Sequence, residues 1–172
     1  MRLTLLRRDP ETRALRALSQ RLRRLPERHR PDDALQIVAD LARSLTSARY
    51  AALAVTDSGD RTIGFITSGL SSEELGGLRT PPQGHGPLGS LRADGRPVHI
   101  ENVEQHERAF GFPPRHPEMR AFLGVPLWAG GEVRGALYVT DRSRGRLFSD
   151  EQEQILVTLA RHASKVIEDD WY

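Results

Sequence analysis

Phe122-Leu123-Gly124-Val125-Pro126-Leu127-Trp128 and Val133-Arg134-Gly135-Ala136-Leu137-Tyr138-Val139-Thr140, joined by Ala129-Gly130-Gly131-Glu132, read as the clearest β-hairpin of the chain. Both runs are apolar, and the Gly-Gly pair between them supplies the backbone freedom that a tight hairpin turn needs. Period-two alternation in the second run puts Ala136 and Tyr138 on one face and Gly135, Leu137 and Val139 on the other. With the aliphatic face packed under helices, Tyr138 points to the opposite side, beside a small residue.

Upstream of the hairpin, Tyr50 to Thr56 reads as a strand, Asp57-Ser58-Gly59-Asp60 as a turn and Thr62 to Thr67 as its partner strand. Ala51, Ala52 and Ala54 leave that first strand without bulk, as a flat slot for a ligand requires. Ser71-Ser72-Glu73-Glu74 resembles a helix start, Gly84, Gly86 and Gly89 surround a turn or short helix, and Val98 to Ile100 is a short strand. Downstream, Ser149-Asp150-Glu151-Gln152 is an N-cap signature opening a helix that buries Ile155, Leu159, Ala163 and Val166 or Ile167. At the amino terminus, Leu15, Leu18, Leu22 and Leu25 recur at helical spacing, so Glu11 to Leu25 reads as an amphipathic helix ended by Pro26 and Pro31. A second helix starts near Asp32 or Asp33, with Leu35, Val38, Leu41, Ala42 and Leu45 on one face. Antiparallel hairpins flanked by helices predict an α+β domain: a central antiparallel β-sheet, N- and C-terminal helices on one face, ligand-binding loops on the other.

The chain has 172 residues, enough for one domain with a sizeable core, and no cysteine. Disulfides, thiolate nucleophiles, Cys-bound zinc, iron–sulfur clusters and thioether-linked chromophores are therefore excluded. No apolar run reaches the length of a membrane span and the start lacks the apolar core of a secretion signal, so a cytoplasmic location is expected. The formal net charge is only +2, but residues 1–30 hold ten arginines against Asp9, Glu11 and Glu27. No aromatics interleave with these arginines for base stacking, so nucleic acid is not the expected partner. A solvated helix face, or an arm pairing with acidic side chains, accounts for them.

Just before the hairpin stands Gly111-Phe112-Pro113-Pro114-Arg115-His116-Pro117-Glu118-Met119-Arg120. Three prolines restrict the backbone around His116, and Pro117 pushes the histidine itself toward an extended conformation. A loop stiffened in this way can hold an imidazole at the fixed angle that a metal or haem iron demands. The other histidines carry weaker signals. His85 lies between two glycines, and His106 stands near Glu104 and Glu107 without convergent partners. His99 is on a short strand, His162 beside Arg161 reads as part of a solvated helix face, and His29 belongs to the arginine-rich linker. Gly84-x-Gly86-x-x-Gly89 matches a dinucleotide fingerprint by letters only, since it follows prolines in place of a strand.

Phe122-Leu123-Gly124-Val125-Pro126-Leu127, then Gly135 to Asp141, then Phe148-Ser149-Asp150-Glu151 resemble a GAF domain over about Asp32 to Glu168. The stretch Gly111-Phe112-Pro113-Pro114 through His116-Pro117, with Met119-Arg120 and Phe122 to Pro126, is similar to the haem-binding GAF domains of mycobacterial dormancy-type oxygen and redox sensor kinases. The resemblance implies non-covalent haem b with His116 as proximal iron ligand and Tyr138 on the distal side near bound gas. Met119, Phe122 and Ala136 complete the implied cofactor-binding set. Arg115 departs from relatives that carry another histidine there, and a kinase output is not expected of this stretch. Residues 1–31 are then an N-terminal helix and linker, and 32–172 the haem-binding GAF domain.

The leading expectation is a stand-alone sensor of a diatomic gas (O2, NO or CO) or of redox state, signalling through a separate protein. Two other readings are a small haem enzyme using the same pocket for oxygen, peroxide or nitrogen-oxide chemistry, and a haem-free GAF dimerisation module. A cysteine-linked bilin and a cysteine-dependent sulfoxide reductase are excluded by composition. The leucine stripe of the first helix also predicts a homodimer built from the terminal helices, with docking in the same chain as the competing arrangement.

Overall fold

A computed structural model describes residues 9–77, 87–103, 119–142 and 145–171 of the chain. Helices α1 (Pro10–Leu22) and α2 (Pro31–Thr46) precede strands β1 (Ala48–Thr56) and β2 (Thr62–Ser68). Two shorter helices, α3 (Ser72–Gly77) and α4 (Pro87–Asp94), lead to β3 (Val98–Ile100). Strands β4 (Phe122–Ala129) and β5 (Glu132–Arg142) then precede the long α5 (Asp150–Trp171). The five strands form one antiparallel sheet in the order β2-β1-β5-β4-β3.

Local chemistry explains the elements. Gly130 and Gly131 both adopt positive φ, +60° and +79°, which closes the β4–β5 hairpin with a turn whose twist matches the strands. Pro10 and Pro31 each open a helix, where the missing N–H costs nothing. Asp9 caps α1 by accepting from the Thr12 backbone at 3.0 Å. At the start of α5, Gln152 accepts from the Ser149 backbone N–H at 2.9 Å. Asp57 organises the β1–β2 turn by accepting from the Gly59 and Arg61 amides, both at 2.9 Å. These hydrogen bonds, together with its pairing to the Arg61 side chain, hold its carboxyl below the usual range.

Helices α2 and α5 cover one face of the sheet, and α1 packs on both of them. Leu53, Val55, Leu123, Val125, Leu137 and Val139 project from that face into a core with Leu35, Val38, Ile155, Leu159 and Ile167. Each such aliphatic side chain contributes about 1.5–3 kcal/mol relative to exposure. Ile167 is the buried residue near the end of α5, and Val166 packs at its margin.

Three expectations are corrected by this packing. Leu18 of α1 is buried and Leu22 and Leu25 pack at the core's margin as expected, but Leu15 is 49% exposed and Ala14 is buried in the stripe. Ala51 faces the helices, so only Ala52 and Ala54 belong to the opposite face. His162 is half-buried instead of solvated, and its Nε2 is buried without a hydrogen-bond partner among the described residues.

The first helix docks within its own chain, contributing Ala14 and Leu18 to the common core. Arg13–Glu151 at 3.1 Å and Arg161–Glu11 at 3.4 Å link α1 to α5. These exposed pairs add little beyond the apolar contact.

Burial holds the His162 imidazole below its ordinary value of 6.5. Unfolding therefore takes up a proton as pH falls below about 6.5, so this contribution to stability is present above that pH and lost below it. Urea midpoints of wild type and His162→Gln should accordingly converge as pH drops from about 7.5 to 5.5. A constant difference across that range would show that His162 does not titrate against folding.

Candidate functional site

The face of the sheet turned away from α1, α2 and α5 is built from different residues. Cross-strand register places Ala52 opposite Tyr138, Ala54 opposite Ala136, Gly124 opposite Tyr138 and Pro126 opposite Ala136. The centre of this face is thus lined by side chains of minimal bulk. Aromatic and aliphatic groups stand around it: Phe65, Leu91, Val98, Ile100, Val103, Met119 and Phe122 join Ala52, Ala136 and Tyr138 in a second apolar cluster. Leu91 comes from α4, so the expected ligand side carries a helix as well as connecting segments.

Tyr138 is the polar group at the centre of that cluster. It is 6% exposed, and its ring stacks on Phe122 with centroids 5.5 Å apart. Its hydroxyl has no hydrogen-bond partner among the described residues. Burial pushes the phenol well above its ordinary value, so at neutral pH it is an uncharged donor. A hydroxyl on a ring this deeply packed is held in one place and can donate to a ligand that accepts its proton.

Four of the expected site residues are therefore brought together: Met119, Phe122, Ala136 and Tyr138 all belong to the one cluster. His116 lies outside the described residues, as do His85 and His106. Val103 and Met119, the described residues nearest to His116 in the chain, are both fixed on this face. The Val103 amide donates to the Arg120 carbonyl at 2.6 Å. His116 is three residues from Met119, so covalent geometry limits their Cα separation to about 11 Å.

His99 points the other way, placing Nε2 2.5 Å from Glu153 Oε2 on α5. Its strand position, opposite Leu123, dictates that direction. His29 Nδ1 is 3.0 Å from the Pro26 carbonyl oxygen, within the α1–α2 connection. Among the described residues, no three His, Cys, Asp or Glu side chains are grouped to hold a metal ion.

A second polar feature of the same face was not foreseen. The Tyr50 hydroxyl donates to Glu74 on α3 at 2.6 Å, and the Arg49 guanidinium lies 4.8 Å from the Tyr50 ring centroid. Burial, followed by the bond to Glu74, pushes the Tyr50 phenol up to about 12. The pair ties α3 to β1 at the rim of the face. Alternation along the strand places Tyr50 on this side, but no local pattern identifies a partner 24 residues away.

With this architecture in view, the chain can be placed among known proteins. A sequence model of the GAF domain matches residues 28–168, and the chain belongs to the GAF domain family, a family of sensory and signalling modules. The structure is similar to the GAF domain of a phosphoenolpyruvate-protein phosphotransferase from Coxiella burnetii, at 25% identity and a TM-score of 0.71. That match covers 91% of this chain and 94% of the other. The GAF domain of the Acinetobacter phosphoenolpyruvate-protein phosphotransferase is also similar, at 25% identity and a TM-score of 0.70, covering 89% of this chain and 91% of that one. The free methionine-R-sulfoxide reductase of Neisseria meningitidis has the same fold at 19% identity and a TM-score of 0.64, covering 93% and 91% of the two chains. Among the described residues, no helix is long and apolar enough to cross a membrane.

Proposed function

We propose that this GAF domain is a sensor that holds haem b against the Tyr138 face of its sheet, with His116 as the iron ligand, and reads a diatomic gas or the redox state. The observation that carries this reading is the largely buried Tyr138, whose hydroxyl makes no hydrogen bond among the described residues and which stands among side chains of minimal bulk. The residues present fit a flat apolar group. Ala52, Ala54, Gly124 and Ala136 carry little bulk of their own, Leu91 and Phe122 now pack over Gly124, and Phe65 and Met119 add apolar contact around them. Haem b would supply an iron able to coordinate diatomic molecules.

Every other role falls to the chain. His116 supplies a nitrogen from the segment whose flanks, Val103 and Met119, are packed on this face. Tyr138 supplies a neutral O–H donor, which favours a ligand atom gathering negative charge over one that stays neutral. Phe122 and Leu91, which now cover Tyr138 and Gly124, would have to turn aside to admit the group. The signal then passes through altered association with a separate signalling protein in the cytoplasm. The domain acts as a homodimer through the outer surface of α1, where Leu15 is exposed.

Titration of the purified chain with haem b, followed by absorption in the ferric, ferrous and CO-bound forms, tests the reading. Saturable uptake with a sharp Soret band supports it. No uptake leaves a haem-free GAF module and removes the gas-sensing role. In the loaded protein, Tyr138→Phe keeps the ring and removes the donor. O2 affinity should then fall by about one hydrogen bond, about 1 kcal/mol, with CO affinity changing less. Equal changes for both gases would take Tyr138 out of gas discrimination.

A further inference from the structure

We infer that the end of the sheet farthest from the β4–β5 turn holds a second site, for a phosphate monoester carrying a small apolar group. A cavity of about 640 Å³ opens there between the start of β1, the approach to β4, the end of β5 and Gly145-Arg146-Leu147 before α5. Its volume falls within the range of small-molecule pockets, about 300–1,000 Å³. None of its lining residues belongs to the cluster around Tyr138.

Four arginines line it: Arg49, Arg120, Arg142 and Arg146. Arg49 is partly engaged, 4.0 Å from Glu74 and over the Tyr50 ring. Among the described residues, Arg120, Arg142 and Arg146 have no carboxylate within ion-pair distance. Elsewhere on the molecule arginines do find acids, as in Arg13–Glu151, Arg61–Asp57 and Arg134–Glu132. Arg142 spends one donor on the Leu147 carbonyl at 3.2 Å, which holds its guanidinium beside the cavity.

Two carboxylates also line the cavity, Asp141 and Glu101. Asp141 is structural: one oxygen accepts from the amides of Arg120 at 2.6 Å and Ala121 at 3.2 Å. It does so from a backbone at φ +55°, and the result brackets Arg120 against Arg142. Glu101 is exposed at the rim.

The charge and shape select the ligand class. Guanidinium forks match the oxygens of a tetrahedral dianion, and three of them around one cavity offer more donors than a monocarboxylate can accept. Buried Ala48 and Ala121 and the 46% exposed Leu147 give the same cavity an apolar side. An organic phosphate uses both halves, whereas inorganic phosphate uses one.

Calorimetric titration of the full chain with phenyl phosphate, inorganic phosphate and benzoate is the test. Phenyl phosphate should bind with a dissociation constant below about 1 mM, and each of the other two at least about tenfold more weakly. The double variant Arg120→Gln, Arg146→Gln, altering two exposed side chains, should weaken phenyl phosphate at least about tenfold with an unchanged melting temperature. Absence of binding up to about 10 mM would overturn the proposal. So would unaltered binding by the double variant, or benzoate or inorganic phosphate binding as tightly as phenyl phosphate. Should the double variant melt early, Arg146→Gln alone replaces it and must still weaken binding.

Discussion

Gly135→Val should lower the thermal midpoint by about 10 °C, the equivalent of about 3 kcal/mol or more for a domain of this size. Gly135 sits in β5, which pairs with β1 on one side and β4 on the other. A Cβ at this position would stand 2.1 Å from the Ala54 carbonyl oxygen and 3.1 Å from its carbonyl carbon. Both are backbone atoms, so no side-chain rotation relieves the overlap. Relief requires β1 and β5 to move apart, which breaks ladder hydrogen bonds and opens the core around Leu53 and Leu137. Gly76→Ala is the matched control, because a Cβ there meets nothing within 4 Å. Thermal melts followed by circular dichroism decide the matter. A Gly135→Val chain melting within about 2 °C of wild type would mean that the sheet tolerates the wider spacing.

The second large effect concerns the ligand. His116→Ala should eliminate haem retention: after gel filtration of the loaded protein the Soret band should be absent. The variant removes one imidazole from a proline-rich segment and leaves the helix-side core untouched, so its far-ultraviolet spectrum and melting midpoint should match those of the unloaded wild type. His99→Ala is the informative comparison. That ring faces Glu153 on the opposite side of the sheet, so haem retention should survive its loss. A persistent Soret band in His116→Ala would move the iron ligand to another histidine, with His106 tested next.

The sheet was readable because its signals are local. Gly130-Gly131 announces a turn, and strict alternation on either side sorts Leu137 and Val139 from Ala136 and Tyr138 before any packing is known. The same rule, applied along β1, separates Ala51 from Ala52 and Ala54, whereas composition had grouped the three. Around α1 the leucine spacing put Leu18 in the core and Leu22 and Leu25 at its margin, and failed at Leu15 because size was taken for burial. Ala14, too small to stand out, occupies the tightest contact, and Leu15 turns outward. His162 was read from its residue type, yet its burial depends on what packs against α5. The Tyr50–Glu74 bond and the arginine-lined cavity were invisible for a related reason. Their members come from separated segments, and only the closed sheet brings them together.

The hydrogen bond from Val103 to Arg120 has an evolutionary corollary. It fastens the two ends of the β3–β4 connection to each other, so the scaffold's continuity is secured at that point whatever lies between. Because the entropic penalty of lengthening a closed connection grows only slowly, about 0.6 kcal/mol per doubling, such a connection behaves as an exchangeable cassette.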